Sequence, residues 1–285
     1  MLCGSIKFPG PIKTHLSNAC FHLEKLSRLG ELSFRLESLT SLAMTYAVTT
    51  LTLLPEAFPG PLGVSILERA RNNGIWEHDI VALREFGTGK HNDVDDTPAG
   101  GGAGMVMRAD IAAAAIDSIE RNDRPLIYPS PRGVPFSQSL ARKWSEGPGL
   151  IILCGRFEGL DERVIEARNM TEVSLGDFVL AGGEVAAQAM IEATIRLLPG
   201  VAGNSDSIEE ESFENGLLEY PLYTRPREWE GRAIPDVLLS GDHGKIKEWR
   251  KSRSKELTRD RRPDLWAAYP SGTKMRASET DDEHH

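Results

Sequence analysis

Leu150-Ile-Ile-Leu-Cys-Gly-Arg-Phe-Glu-Gly-Leu-Asp-Glu-Arg-Val164 sets five apolar residues directly before a glycine-bracketed turn and a helix-like stretch. An apolar run this short, with no polar alternation, has the pattern of a strand buried on both faces. Leu150 to Cys154 is therefore predicted as a strand and Leu160 to Asn169 as a helix. The alternation extends in both directions. Upstream, Tyr46 to Leu54 reads as a buried strand, and Leu62 to Asn73 as a helix stopped by Gly74. Ile80 to Phe86 follows as a strand, Ile111 to Glu120 as a helix, Pro125 to Tyr128 as a short strand and Phe136 to Trp144 as a helix. Downstream, Glu184 to Leu198 is a longer helix. Strands alternating with helices imply an α/β fold with a mostly parallel sheet covered on both faces.

The 285 residues suit one or two domains, and 40% hydrophobic with 26% charged residues is ordinary for a globular chain. Collagen-like, fully disordered and polytopic membrane classes are poor fits. A net charge of −9 disfavours non-specific wrapping of nucleic acid by the whole surface, so any such site is a local basic patch. Cys3, Cys20 and Cys154 are odd in number and lack CxxC spacing, which argues against a disulfide framework or a structural zinc site and for a reducing cytoplasm. Leu39 to Pro55 carries no charge over 17 residues, nearly the length of a membrane span. Six of those residues are Ser or Thr, and the β-branched pattern from Tyr46 to Leu54 fits a buried strand better. No secretory leader pattern is evident in the first 43 residues.

The character of the chain changes after Pro199. Gly203 to Glu219 contains six acidic residues and no basic one, which reads as an exposed linker at residues 203–210. From His243 to Arg262 nine Lys or Arg stand against three acids. Ile246, Trp249, Arg253 and Leu257 recur there at helical spacing, predicting a helix with one packed face and one basic face. The expected organisation is an extension at 1–43, an α/β domain at 44–202, a small helical domain at 211–270 and an acidic disordered tail at 271–285.

In open parallel sheets, ligands bind beyond the carboxyl ends of the strands. Three such ends stand out: Tyr128-Pro-Ser-Pro-Arg-Gly133, Cys154-Gly-Arg-Phe-Glu-Gly159 and Ser174-Leu-Gly-Asp-Phe-Val-Leu-Ala-Gly-Gly-Glu184. Gly-containing, partly apolar loops at one sheet edge suit a flat heteroaromatic ligand held by backbone hydrogen bonds. Ordinary turns account for the same glycines, and composition does not choose between the two. The Gly100-Gly-Gly-Ala-Gly104 run is not a P-loop, since no Lys-Ser or Lys-Thr follows. It reads as a mobile loop whose Asp95 and Asp96 either orient a cationic group or are simply solvated. His91 and Cys154 default to surface and core positions.

Beside those loops the chain carries Asp95-Asp-Thr-Pro98 before the Gly run, Leu198-Pro-Gly-Val201 and Glu211-Ser-Phe-Glu-Asn-Gly-Leu-Leu218. Tyr223-Thr-Arg-Pro226 and Val237-Leu-Leu-Ser-Gly241 follow in order. With these motifs the chain resembles the bacterial tRNA (guanine-N1)-methyltransferases of the TrmD type, in the knotted SPOUT methyltransferase superfamily. The resemblance runs from about Met44 to Tyr269. It makes Met44 resemble a normal start, with residues 1–43 an extension or a mis-set start that the fold and activity do not need.

What the resemblance implies is a trefoil-knotted parallel-sheet domain, a small mostly helical C-terminal domain, and a cytoplasmic homodimer whose active sites are shared between chains. Matching positions put S-adenosylmethionine against Tyr128, Pro129, Ser130, Pro131 and Gly133, against Gly155, Phe157 and Glu158, and against Leu175, Gly176, Asp177, Phe178, Val179, Leu180, Gly182 and Gly183. The substrate is the guanine immediately 3′ of the tRNA anticodon. Glu211 is the matching general base and Arg196 the matching donor to O6. No metal ligands are implied, and the sequence assigns no divalent ion. Lys245, Lys247, Arg250 and Lys251 of the basic segment match the tRNA-binding part. Glu211 stands where the family usually has Asp, with Glu210 as the other candidate in the acidic run. Ala99 replaces a common aromatic, Ala103 a common Pro and Phe157 a usual Tyr. Two other readings stay open: a non-catalytic RNA-binding protein on the same scaffold, and a related knotted rRNA methyltransferase.

Overall fold

A computed structural model describes residues 45–202, 211–213 and 215–269. The extension at 1–43, the linker at 203–210 with Glu209 and Glu210, and the tail at 271–285 lie outside the described residues. The described residues belong to one compact unit.

Five parallel strands form the sheet: β1 (Tyr46–Thr52), β2 (Trp76–Ala82), β5 (Leu126–Pro135), β6 (Gly149–Leu153) and β7 (Thr171–Ser174), in the order β2-β1-β6-β5-β7. Between β2 and β5, β3 (Asp95–Asp96) and β4 (Val106–Met107) form a small antiparallel ladder. The central strand is β6, and all five of its residues are buried. Leu150, Ile152 and Cys154 join one core cluster and Ile151 the other, together with Leu153. This is the two-residue period of a strand read from both faces of the sheet. The first cluster includes Leu67 and Ala70 of α1 (Ser65–Asn72) and Ala187, Met190 and Ile191 of α5 (Glu184–Ile195). It also takes Trp144 of α3 (Gln138–Ser145). The second cluster takes Ile111, Ala112, Ala115 and Ile116 of α2 (Ala109–Asp117), and Val164 and Ile165 of α4 (Glu162–Ala167).

Local chemistry fixes the joints. Asn73 closes α1, and Gly74 at φ 73° makes the left-handed exit that favours glycine. Ser137 caps α3 by accepting from the Leu140 N–H, and Asp161 caps α4 by accepting from Arg163. Gly149 opens β6 at φ 151°, where a Cβ would be driven into the Ala47 carbonyl.

Two expectations are corrected. The strand expected at Ile80–Phe86 begins instead at Trp76, and Leu83–Phe86 is a 3-10 turn. The Gly-rich stretch expected as a mobile loop is anchored at its base, because Asp95 and Asp96 pair with Met107 and Val106. Of β7 the sequence places only the carboxyl end, at Ser174, and no range for the strand itself.

His78 on β2 is packed between the Trp76 and Phe58 rings, with Nε2 against Thr50 Oγ1 at 2.9 Å. Burial, with the Arg71 charge adding and Asp79 opposing, lowers its pKa to about 4. The unfolded chain therefore binds a proton below about pH 6.5 that the folded chain refuses until about pH 4, so the folded state loses stability as pH falls through that window. The loss from this group should reach on the order of 2–3 kcal/mol by pH 4. Denaturant titrations at pH 7 and pH 4 should show a smaller pH effect in His78→Phe than in wild type.

Candidate functional site

The strand ends β5, β6 and β7 open into a cavity of about 440 Å³, a size suited to a small ligand. Its first wall arises from an interruption of β5. Pro129 and Val134 both register with Val173 of β7, so Ser130-Pro131-Arg132-Gly133 is extruded from the ladder. Ser130, Pro131 and Arg132 line the cavity. Gly133 does not, because it sits against the Glu172–Val173 backbone, where a Cβ would collide. Its function there is to let the extruded segment rejoin the sheet.

The second wall follows β6. Gly155, Arg156, Phe157, Glu158 and Gly159 line the cavity, with Phe157 held at φ 59°. Tyr128 lies beneath this loop, and its hydroxyl accepts from the Leu160 N–H at 3.2 Å. Burial raises the Tyr128 pKa, so the group is a neutral tether. β4 runs along the loop's other side: Met107 N–H donates to Gly159 O at 2.8 Å and Glu158 N–H donates to Met105 O at 2.9 Å. The base of the β3–β4 ladder is thereby tied to the second wall. A Cβ on Gly104 would collide with the Glu158 side chain.

The third wall runs from Val173 to Gly183. Leu175, Gly176, Phe178, Val179, Leu180, Gly182 and Gly183 line it, whereas Asp177 is exposed and outside the lining. Ser174 Oγ accepts from the Gly176 N–H and donates to the Gly176 carbonyl, closing a tight turn. Gly183 N–H donates to Gly155 O at 2.9 Å, joining the second and third walls. Of the sixteen residues the resemblance assigns to a cofactor, fourteen line this cavity, and Gly133 and Asp177 do not. Arg132 and Arg156, within the loop stretches quoted from the sequence, line it too, as does Glu162 just beyond them. Arg132 pairs with Glu162 at 2.8 Å and Glu172 at 3.1 Å across the rim. The only advance sign of these residues was that each lies within or beside a quoted loop motif.

Arg196 and Glu211 lie outside the cavity lining. The structure brings them to each other. Arg196 is the residue that closes α5, and its Nη1 and Nη2 donate to the two Glu211 carboxylate oxygens at 2.7 Å each. Both side chains are about two-thirds buried, with 32% and 27% exposure. Such a two-pronged Arg–carboxylate fork fixes the orientation of both groups.

After the short helix α6 (Asp236–Leu239), the basic segment is α7 (His243–Arg261), capped by Asp242, which accepts from the Lys245 N–H at 3.1 Å. Its buried residues are Ser254 and Thr258. Arg253, expected on the packed face, is exposed, and Arg250, expected on the basic face, lies over the Tyr220 ring at 4.7 Å. The packed face is rotated toward small Ser254 and Thr258, where the Leu218 N–H donates to Thr258 Oγ1 at 2.8 Å. Lys245, Lys247 and Lys251 point to solvent.

Among the described residues no helix is long and apolar enough to cross a membrane, and no group of three or more His, Cys, Asp or Glu side chains is arranged to hold a metal ion.

A family model described as tRNA (Guanine-1)-methyltransferase TrmD matches residues 46–268. The tRNA (guanine-N(1)-)-methyltransferase of Chelativorans sp. (strain BNC1) is 59% identical over 228 residues, covering 79% of this chain and 97% of that protein. The protein of the same name from Brucella ovis is 57% identical over 224 residues, covering 79% and 92% respectively. That from Brucella suis is also 57% identical over 224 residues, covering 79% and 91%.

Proposed function

The chain belongs to the tRNA (guanine-1)-methyltransferase TrmD family, and from that membership we propose that this enzyme methylates N1 of the guanine immediately 3′ of the tRNA anticodon, using S-adenosylmethionine. Methylation there supports maintenance of the reading frame. The observation that carries the mechanism is the Arg196–Glu211 fork. Guanine presents N1–H and C6=O side by side, so a base and a donor held side by side match its edge. Glu211 accepts the N1 proton, leaving the nitrogen lone pair free to form the new bond to carbon. Arg196 donates to O6, where negative charge grows as that proton leaves. In the free enzyme the two groups satisfy each other, and the guanine edge takes the place of each partner.

The cavity fits the methyl donor. Its glycine-rich third wall, with Leu175, Phe178 and Leu180, suits the flat adenine, and Arg132, Arg156, Glu158 and Glu162 offer charges for the zwitterionic end. When bound, S-adenosylmethionine supplies an electrophilic methyl on a sulfonium. The three walls hold and orient it and exclude water. A trefoil knot, with the three walls threaded through one another, is part of this reading. So is a cytoplasmic homodimer. Val134, Phe157, Phe178 and Val179 are exposed around the rim, and the Arg196–Glu211 pair lies outside the chain's own cavity, which fits a site completed by a second copy. The domain division at 44–202 and 211–270 is retained in the same sense.

The test is incubation of the enzyme with methyl-labelled S-adenosylmethionine and unmodified tRNA, followed by nucleoside analysis. N1-methylguanosine at the position 3′ of the anticodon is expected. Label in another nucleoside would overturn the reading, and binding of RNA without transfer would favour a non-catalytic protein.

The basic face of α7 then contacts the tRNA backbone. Replacing Lys245, Lys247 and Lys251 by Gln should make the log–log salt dependence of tRNA binding shallower by roughly 2 to 3, since each phosphate contact releases counterions. Arg250 is left in place because it packs on Tyr220. A filter-binding series in KCl reads the slope, and an unchanged value would make the face merely solvated.

A further inference from the structure

Glu184 is a buried carboxylate that the mechanism above does not use. It is the first residue of α5, 5% exposed, and outside the cavity lining. A charge removed from water this far is retained only where fixed partners replace the solvent. Two partners come from different elements, one of them in the cavity lining. Thr52 Oγ1, at the end of β1, donates to Glu184 Oε1 at 2.9 Å. Arg156 Nη1, in the second wall, stands 3.6 Å from Glu184 Oε2. The amino end of α5 adds a favourable field for a carboxylate at its first position.

The backbone is shaped around this cluster. A Cβ on Gly182 would collide with the Arg156 guanidinium and the Glu184 carboxylate, and a Cβ on Gly183 would crowd the Cys154 and Gly155 backbone. Two consecutive residues without side chains thus let the third wall close onto the second. The negative charge is felt locally as well: burial, with Glu184 adding, pushes the Cys154 thiol well above its ordinary range.

We propose that Glu184 is a positioning residue that sets cofactor affinity by holding Arg156, and with it the 154–159 wall, against the 181–184 turn and the end of β1. The inference rests on the reading of the cavity as the S-adenosylmethionine site. Glu184 acts through Arg156, which lines the cavity and whose side chain is 30% exposed. The guanidinium is thereby kept in one place and its wall at a fixed spacing, so less ordering remains to be done when the ligand enters.

The test is calorimetric titration of the full chain with S-adenosylhomocysteine, which occupies the site without reacting, beside steady-state methylation. Glu184→Gln keeps the shape and the bond from Thr52 but removes the charge. Its dissociation constant and its KM for the methyl donor should rise about tenfold. Its kcat at saturating donor and its KM for tRNA should stay near wild type. Arg156→Met should weaken binding to a similar degree, and the double variant should be no weaker than either single one. A fall in kcat with donor affinity intact would overturn the proposal, as would effects that simply add in the double variant. Should Glu184→Gln fail to fold, Thr52→Val removes the anchoring bond, together with the hydroxyl that accepts the Leu54 N–H, and must still raise the dissociation constant, an unchanged value counting against the proposal. If wild type itself takes up no S-adenosylhomocysteine, the cavity assignment falls and this inference with it; if wild type binds and Glu184→Gln binds equally, this inference alone falls.

Discussion

Glu211→Gln is expected to lower single-turnover methylation by about 10² or more, the usual scale for removing a general base. The substitution is nearly isosteric, so the Arg196 guanidinium keeps one acceptor where it now has two at 2.7 Å. What disappears is the capacity to take the guanine N1 proton. Cofactor binding should survive because Glu211 does not line the cavity. Glu211→Asp should retain substantial activity: it shortens the reach by one carbon–carbon bond, roughly 1.5 Å, and restores the residue type usual in the family. Glu210→Gln should be close to silent, because Glu211 is the carboxylate that Arg196 holds. Rapid-quench assays with enzyme in excess over tRNA read all three. Loss of turnover in Glu210→Gln with retention in Glu211→Gln would shift the base by one residue and leave the fork a structural ion pair.

The parts of this molecule that were legible in the sequence are those in which one residue type has one physical reason. Leu150 to Cys154 could be read because a five-residue apolar run before a Gly turn has few alternatives to a strand covered on both sides, and all five positions are buried. The helices expected at Phe136 to Trp144 and Leu160 to Asn169 are there, started by local capping at Ser137 and Asp161 that their apolar pattern did not reveal. The misses share the opposite property. β7 has one strongly strand-forming residue, Val173, among Thr171, Glu172 and Ser174, and is a strand because both limbs of β5 pair with it. β2 was placed too late because Glu77, His78 and Asp79 hide its first half, as an edge strand permits, and the apolar Ile80-Val-Ala-Leu83 run drew the reading forward. On α7 apolar periodicity pointed to Arg253, yet packing is decided by Ser254 and Thr258, whose small size matters only once Leu218 approaches. At the site, the loops were legible but the division of labour among their residues was not. Gly133 shapes the sheet rather than the cavity, and Arg156 faces the cavity because Glu184, 28 residues on, stands behind it.

Removal of the other half of the fork should be as damaging for a different reason. Arg196→Ala is expected to cost about 10² to 10³ in single-turnover rate, the range for loss of a donor at a developing oxyanion. It also leaves the partly buried Glu211 carboxylate without the guanidinium that orients it. Arg196→Lys should recover only part of this loss. An ammonium keeps the charge but is a single point on a flexible stem, whereas the structure shows two parallel bonds from a planar group. Affinity for S-adenosylhomocysteine should be retained in both variants, since Arg196 closes α5 outside the cavity lining. The decisive comparison is the double variant Glu211→Gln with Arg196→Ala. Groups that act on the same guanine edge in one transition state form a unit, and the loss in the double variant should fall well short of the product of the two single losses. Independent contributions would multiply, because each group would then lower the same barrier without help from the other. A product-like loss with unchanged cofactor affinity would therefore mean that Glu211 and Arg196 contribute independently, and that the fork is not what aligns the base for guanine N1.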